Sequence, residues 1–296
     1  MRIGRTRLGF PFRVTSDPVV AAVGDIACDP QEPSFNGGAG TLTACHMRQT
    51  ASLVANASPD AVLAIGDTQY NSSTLAEYHA SYDTAWGAFK NITRPVPGNH
   101  EYGTTGAADY FKYFGSAAGD PQKGYYSFNI GAWHVIALNS NCSEAGISCA
   151  VGFAQEGWLR ADLEAHRNFC TLAFFHHPMF SSGQNGSHPT VRPFFDALYE
   201  KGADLVLVGH DHDYERFAPQ TPDGALDTVS GIRQFVVGTG GRDLQALKKA
   251  RKPNSEVGQS DTYGVMLLKL HPTSYDWQFV PEAGRTFRDS GTQACH

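Results

Sequence analysis

Four short apolar runs, each stopped by an Asp or a His, constrain this chain more than any other feature. PVVAAVG precedes Asp25, AVLAIG precedes Asp67, TLAFF precedes His176 and DLVLVG precedes His210. The runs are too short for buried helices and rich in Val, Leu, Ile and Phe. Continuous apolar character over so few residues predicts strands buried on both faces. Amphipathic stretches fall between them at 43–55, 74–89, 155–166 and 191–199. Alternation of this kind predicts an α/β fold.

Further strand-like segments follow a different rhythm. YYSFNI and WHVIALNS flank a turn at Gly131, and RQFVVGTGG, YGVMLLKL and SYDWQFVPE crowd the C-terminal third. A single parallel sheet does not need so many strands, so two packed sheets flanked by helices is the economical expectation. The chain has 296 residues, enough for one large core. We expect an N-terminal arm at 1–17 and one domain at 18–296. The arm carries four Arg and no apolar run of signal-peptide type. A net charge of -6 argues against nucleic acid as a specific partner. No apolar run approaches the roughly 20 residues of a membrane span.

The six cysteines form no CxxC pair, so thiolate metal ligation is not expected. Cys28 and Cys45 bracket a Gly-rich loop, and Cys142 and Cys149 bracket a short polar one. We expect these as two disulfides, with Cys170–Cys295 as the remaining pair. Three disulfides would suit a secreted or periplasmic location.

The residues after the strands make five blocks: GDIAC (Asp25), GDTQY (Asp67, Tyr70), GNHE (Asn99, His100), FFHHP (His176, His177) and GHDHDYER (His210, His212). Each block alone has a plain reading. A lone GD is usually a turn, a lone Tyr is usually packed, and a His closing a strand is usually a satisfied core residue. Taken together they supply N and O donors suited to two metal ions with one Asp shared. His210 and His212, two apart on extended chain, can face one site and form the strongest block. In open α/β sheets ligands bind beyond the carboxyl ends of strands, which is where these residues fall.

The order GD, GDxxY, GNHE, HxP, GHxH resembles the calcineurin-like metallophosphoesterases, and within them the purple acid phosphatases. Two details choose that branch: Ala27 where the wider superfamily has a His, and Tyr70 in place of the GDxxDRG pattern. The resemblance implies a four-layer α/β/β/α sandwich of two mixed β-sheets, packed face to face with helices outside. It implies Fe(3+) held by Asp25, Asp67, Tyr70 and His212. A second ion, Fe(2+), Zn(2+) or Mn(2+), would take Asp67, Asn99, His176 and His210, with Asp67 bridging. It also implies hydrolysis of a small phosphate ester by a metal-activated hydroxide. His100, His188 and His177 are the candidates for protonating the leaving group.

A phosphodiesterase or nucleotide pyrophosphatase on the same site is the nearest rival. A non-catalytic extracellular binding protein is a more distant one, because all seven ligand positions are filled. The first block reads GDIAC rather than GDxG, and no counterpart of the N-terminal β-sandwich of the plant enzymes is expected within residues 1–296. Loops 28–45, 140–153 and 181–192 are expected to line the cleft. Arg192 and Arg216 are read as salt-bridging residues ahead of phosphate ligands. A monomer is the default expectation.

Overall fold

The structure, a computed structural model, describes residues 17–296 apart from 145, 167 and 169. The expected arm therefore lies outside the described residues save for Asp17. In chain order the regular elements are β1 (Val19–Val23), α1 (Met47–Ala57), β2 (Ala61–Ile65), α2 (Leu75–Glu77), α3 (Asp83–Ala85), β3 (Thr93–Val96) and α4 (Ala108–Phe114). There follow β4 (Tyr126–Ile130), β5 (Trp133–Ala137), α5 (Ala154–Ala165), β6 (Cys170–Phe174), α6 (Arg192–Glu200), β7 (Leu205–Val208) and β8 (Tyr214–Phe217). The chain closes with β9 (Arg233–Val237), β10 (Ser255–Gln259), β11 (Gly264–His271), β12 (Ser274–Pro281) and β13 (Ser290–Ala294).

Two mixed sheets form. The first has strand order β13-β12-β11-β1-β2-β3 and the second β10-β8-β9-β7-β6-β5-β4. In the first, β1, β2 and β3 run parallel and form one side of the sheet, with antiparallel β11, β12 and β13 on the other; in the second, parallel β5, β6, β7 and β9 form the centre between antiparallel flanks. The central strands are buried along their whole length, as their unbroken apolar sequences require.

Alternate residues of each strand sort into different layers. Val20, Ala22, Leu63, Ile65 and Val96 face Val135, Leu172, Phe174, Leu207 and Phe235 between the sheets. Ala21, Val23 and Val62 point the other way, into a layer with Met47, Ala51 and Val54 of α1 and the aromatics Tyr78, Tyr82 and Trp86. Ala173, Val206 and Val236 pack against Leu159, Leu163, Phe194, Phe195 and Leu198 of α5 and α6. The result is the four-layer α/β/β/α sandwich expected from the sequence.

The stretch read as one helix over 74–89 is broken. Thr74 and Glu77 make a capping box that starts α2, a π-helical turn at Tyr78–Tyr82 follows, and α3 ends before a 3-10 turn at Gly87–Ile92. The Asp83 carboxylate occupies the space beside Gly87, where a Cβ would come within 2.4 Å of it.

The disulfides join Cys28–Cys45, Cys142–Cys149 and Cys170–Cys295, the expected pairings. The third fastens the end of β13 in the first sheet to the start of β6 in the second. It lies beside Asp204, whose carboxylate takes the backbone N–H groups of Thr171 and His296.

Candidate metal centre

All seven residues expected to bind metal meet at one end of the two sheets, on loops leaving β1, β2, β3, β6 and β7. Three of them, Asp25 (φ 59°), Asp67 (φ 46°) and His210 (φ 72°), have left-handed backbone. Such conformations cost on the order of 1 kcal/mol or more each for a non-glycine residue. Fully burying one Leu or Phe stabilises by roughly 1.5–3 kcal/mol, so the layers beneath offset this strain many times over. The sharp turns bring side chains from parallel strands towards one point. Two glycines make room for them. A Cβ on Gly98 would lie 2.2 Å from Oδ1 of Asp67, and one on Gly66 would lie 2.6 Å from Nδ1 of His176.

The donors fall into two overlapping groups. In the first, the Tyr70 hydroxyl stands 3.0 Å from Oδ1 of Asp25, 3.1 Å from Oδ2 of Asp67 and 3.1 Å from Nε2 of His212. In the second, Nε2 of His176 stands 3.1 Å from Oδ2 of Asp67, 3.2 Å from Oδ1 of Asn99 and 3.2 Å from Nδ1 of His210. Oδ2 of Asp67 belongs to both. Asp25 and His176 are fully buried and Asp67 is 2% exposed.

Neighbouring groups fix which atom each ligand candidate presents. Nδ1 of His176 donates to the Ile65 carbonyl at 2.9 Å, so its Nε2 lone pair faces the cluster. Nδ1 of His212 donates to the Asp243 carboxylate at 3.0 Å, which turns Nε2 inward in the same way. Glu101 braces the second loop. Its carboxylate accepts the backbone N–H groups of Asp67, Thr68 and Gly98 and the hydroxyls of Thr68 and Tyr78. The N–H of His100 donates to Oδ1 of Asp67 at 2.9 Å, and that of His210 to Oδ2 of Asp25 at 3.0 Å.

This arrangement sets lone pairs against lone pairs. Carboxylate, amide and imidazole acceptors converge, and positive charge must lie among them. Without ions, protons are drawn in. Burial pulls the His176 imidazole down, but Asp67 beside it outweighs that and lifts it to about 9. For His212, burial is outweighed by Asp243 and Asp25, and the value rises to about 10. His210 goes the other way, to about 2, through burial and the charge on His176. Burial, with Asp25 and Asp67 alongside, pushes the Tyr70 phenol well up. A pair of cations replaces these protons with one charge for each group, so the donor set fits two ions with Asp67 between them.

Of the three other candidate histidines, His100 lies against the first group, and His177 and His188 against the second. His100 is held by the Asn71 carbonyl at Nδ1 (2.6 Å), and its ring lies 4.1 Å from that of Tyr70. His177 and His188 approach the His210 ring, with centroids 4.5 and 4.7 Å away. Ser140 orients His177. Its Oγ accepts the His177 backbone N–H at 2.9 Å and is paired with the ring at Nδ1, also at 2.9 Å. Burial and the charge on His176 keep His177 neutral, and His188 is lowered for the same reasons.

Arg192 pairs with Asp223 and Asp196, and Arg216 with Asp289 and Glu256, so both are salt-bridging residues. Sequence reasoning passed over Asp243, Ser140 and Arg242. The available signal for Asp243 is weak: it lies six residues beyond the strand RQFVV, across the turn GTGGR, where Asp25 and Asp67 follow their apolar runs directly.

A calcineurin-like phosphoesterase family model matches residues 18–214. Purple acid phosphatase 15 of Arabidopsis thaliana is 28% identical over 242 residues, covering 69% of this chain and 44% of the relative. Acid phosphatase type 7 of Danio rerio is 31% identical over 152 residues, covering 42% of this chain and 33% of the relative. The chain thus spans less than half the length of either relative. Among solved structures, a purple acid phosphatase from yellow lupin (Lupinus luteus) seeds superposes with a TM-score of 0.72 at 18% identity. That superposition covers 95% of this chain and 54% of the lupin one. GAP50, the anchor in the inner membrane complex of Plasmodium, gives 0.67 at 11% identity, covering 95% and 90%. At such identities the structural likeness speaks for the fold alone. On the family match and these relatives, the chain belongs to the calcineurin-like phosphoesterase family, on its purple acid phosphatase branch.

Proposed function

We propose that the protein is a binuclear metal-dependent phosphomonoesterase of acid phosphatase type. One observation carries this reading: Oδ2 of Asp67 lies at 3.1 Å from both Tyr70 and His176, common to two otherwise separate donor groups. Fe(3+) in the group containing Tyr70 and Fe(2+), Zn(2+) or Mn(2+) in the other is the assignment we favour. A phenolate with hard carboxylate partners suits a trivalent ion. Bound there, two ions would supply Lewis acidity towards a water and towards the phosphate oxygens.

The chain's own part is positioning and proton supply. Ile65 and Asp243 aim two imidazoles, and Glu101 fixes the loop bearing Asp67. His177, kept neutral by burial and its charged neighbours, is suited to hydrogen-bond a phosphate oxygen and not to release a proton. His100, anchored at Nδ1, has Nε2 free to pass a proton to the departing alkoxide. His188 borders the same cleft from the loop before α6, and we assign it to leaving-group contact. Three disulfides support a secreted or periplasmic setting. Among the described residues no helix is long and apolar enough to cross a membrane.

The test compares p-nitrophenyl phosphate with bis(p-nitrophenyl) phosphate across pH, with ions added. The reading expects faster turnover of the monoester and activity reaching into acid pH. Preference for the diester would move it to the phosphodiesterases. Activity confined to alkaline pH would remove iron, and no turnover of either ester would make the chain a binding protein.

A further inference from the structure

Arg242 lies at the edge of the centre, and the proposed reaction does not use it. It follows β9 in the turn GTGGRD. Its guanidinium carbon stands 5.2 Å from the centroid of the Tyr70 ring. Nη1 donates to Oε1 of Glu32 at 2.8 Å and lies 3.8 Å from Sγ of Cys28. The backbone is equally fixed. The Arg242 N–H donates to the Asp25 carbonyl at 3.0 Å, and its own carbonyl accepts the Cys45 N–H at 2.9 Å. The next residue, Asp243, holds His212. One dipeptide therefore touches three of the four residues of the first donor group. It is fastened to the loop that the Cys28–Cys45 disulfide closes.

A cation over an aromatic face is attracted to the ring's electrons, more strongly where water is partly excluded. The Arg242 side chain is only 20% exposed. Glu32 holds the guanidinium by a charged hydrogen bond, so its position over the ring does not depend on that attraction alone.

We infer that Arg242 is a positioning residue for Tyr70, seated over the ring by the disulfide-closed loop so that its charge bears on the ring electrons of the metal-bound tyrosine. This rests on the reading of Tyr70 as a ligand of ferric iron. The physical consequence is spectroscopic. A cation beside the ring lowers the filled phenolate orbital, so charge transfer from phenolate to ferric ion needs more energy. Removing the cation lets that band move to longer wavelength.

The experiment records the visible spectrum, iron content and KM for p-nitrophenyl phosphate of the iron-loaded protein and of Arg242→Met, Arg242→Lys and Glu32→Gln. The inference expects a shift to longer wavelength in Arg242→Met at wild-type iron content. Arg242→Lys should shift less, and Glu32→Gln, which keeps an acceptor for the guanidinium and removes the charge that offsets it, should shift to shorter wavelength. If Arg242→Met fails to fold or to hold iron, the other two variants carry the test. An unmoved band in iron-replete variants overturns the inference. So does a rise in KM with the band unmoved, which would make Arg242 a phosphate-binding residue. A wild-type iron-loaded protein with no visible band overturns both the inference and the Tyr70 assignment beneath it.

Discussion

Oδ2 of Asp67 stands 3.1 Å from Nε2 of His176 and at the same distance from the Tyr70 hydroxyl. Among the described residues no other side chain joins the two donor groups in this way, so Asp67 should be the least replaceable residue of the centre. Asp67→Asn keeps the shape and removes the charge. We expect phosphate-ester hydrolysis to fall by at least about a hundredfold, with loss of bound metal from both groups. Rate assays with elemental analysis of the same sample check this. A variant with wild-type turnover would be incompatible with a bridging carboxylate.

Asp243 acts on the centre through His212. Asp243→Ala removes the carboxylate at Nδ1 of His212, leaving there the longer contact with Nε2 of Gln245 at 3.4 Å, and loosens the ring. Partners of this kind are worth about 10–100-fold in metal affinity. The expected result is weakened retention of the ion near Tyr70 in chelator competition, with the other ion held as in wild type. Equal loss of both ions would instead indicate general loosening.

The three disulfides should differ in weight. Cys170–Cys295 closes 125 residues of chain and Cys142–Cys149 closes 7. Loop-closure entropy gives about 5 kcal/mol for the first and about 2 kcal/mol for the second. Urea unfolding of the two double Ala variants should show the larger loss for the long loop. The opposite ranking would mean that native-state effects outweigh chain entropy here.

His271 ties the β11–β12 hairpin to the chain before β1. Hydrogen bonds to Asp276 and Asp17 raise its pKa, while that of Asp276 is lowered, chiefly by Thr292 and then by His271. A raised histidine value stabilises fully below its unfolded value near 6.5, and that part is lost as pH climbs through the folded value. The Asp276 part is lost at the other end, as pH falls below about 4. His271→Gln should therefore destabilise most at about pH 5–6, between the two ordinary values, and progressively less as pH rises through the raised histidine value. Urea midpoints for both proteins across that range provide the check, and a difference independent of pH would remove the charge-based account.

The strand ends were legible because a strand buried on both faces must be apolar throughout. A charged residue directly after such a run stands out, as Asp25, Asp67, His176 and His210 do. The polar and edge strands were not. β3 contains Arg94 and Pro95, which do not read as part of a buried strand. β10 (SEVGQ) and β13 (SGTQA) are set by backbone pairing with β8 and β12, which leaves little trace in side-chain pattern. The supporting residues were hidden for a related reason. Asp243 is 31 residues from His212, Ser140 is 37 from His177 and Arg242 is 214 from Cys28. Contacts over such separations are made by the folded sheets and are not encoded in any local spacing.

The most direct test of the central claim is the metal content of the purified protein by elemental mass spectrometry. The account predicts two ions per chain, one of them iron, both absent from Asp67→Ala. No bound metal after incubation with iron, zinc and manganese would contradict it.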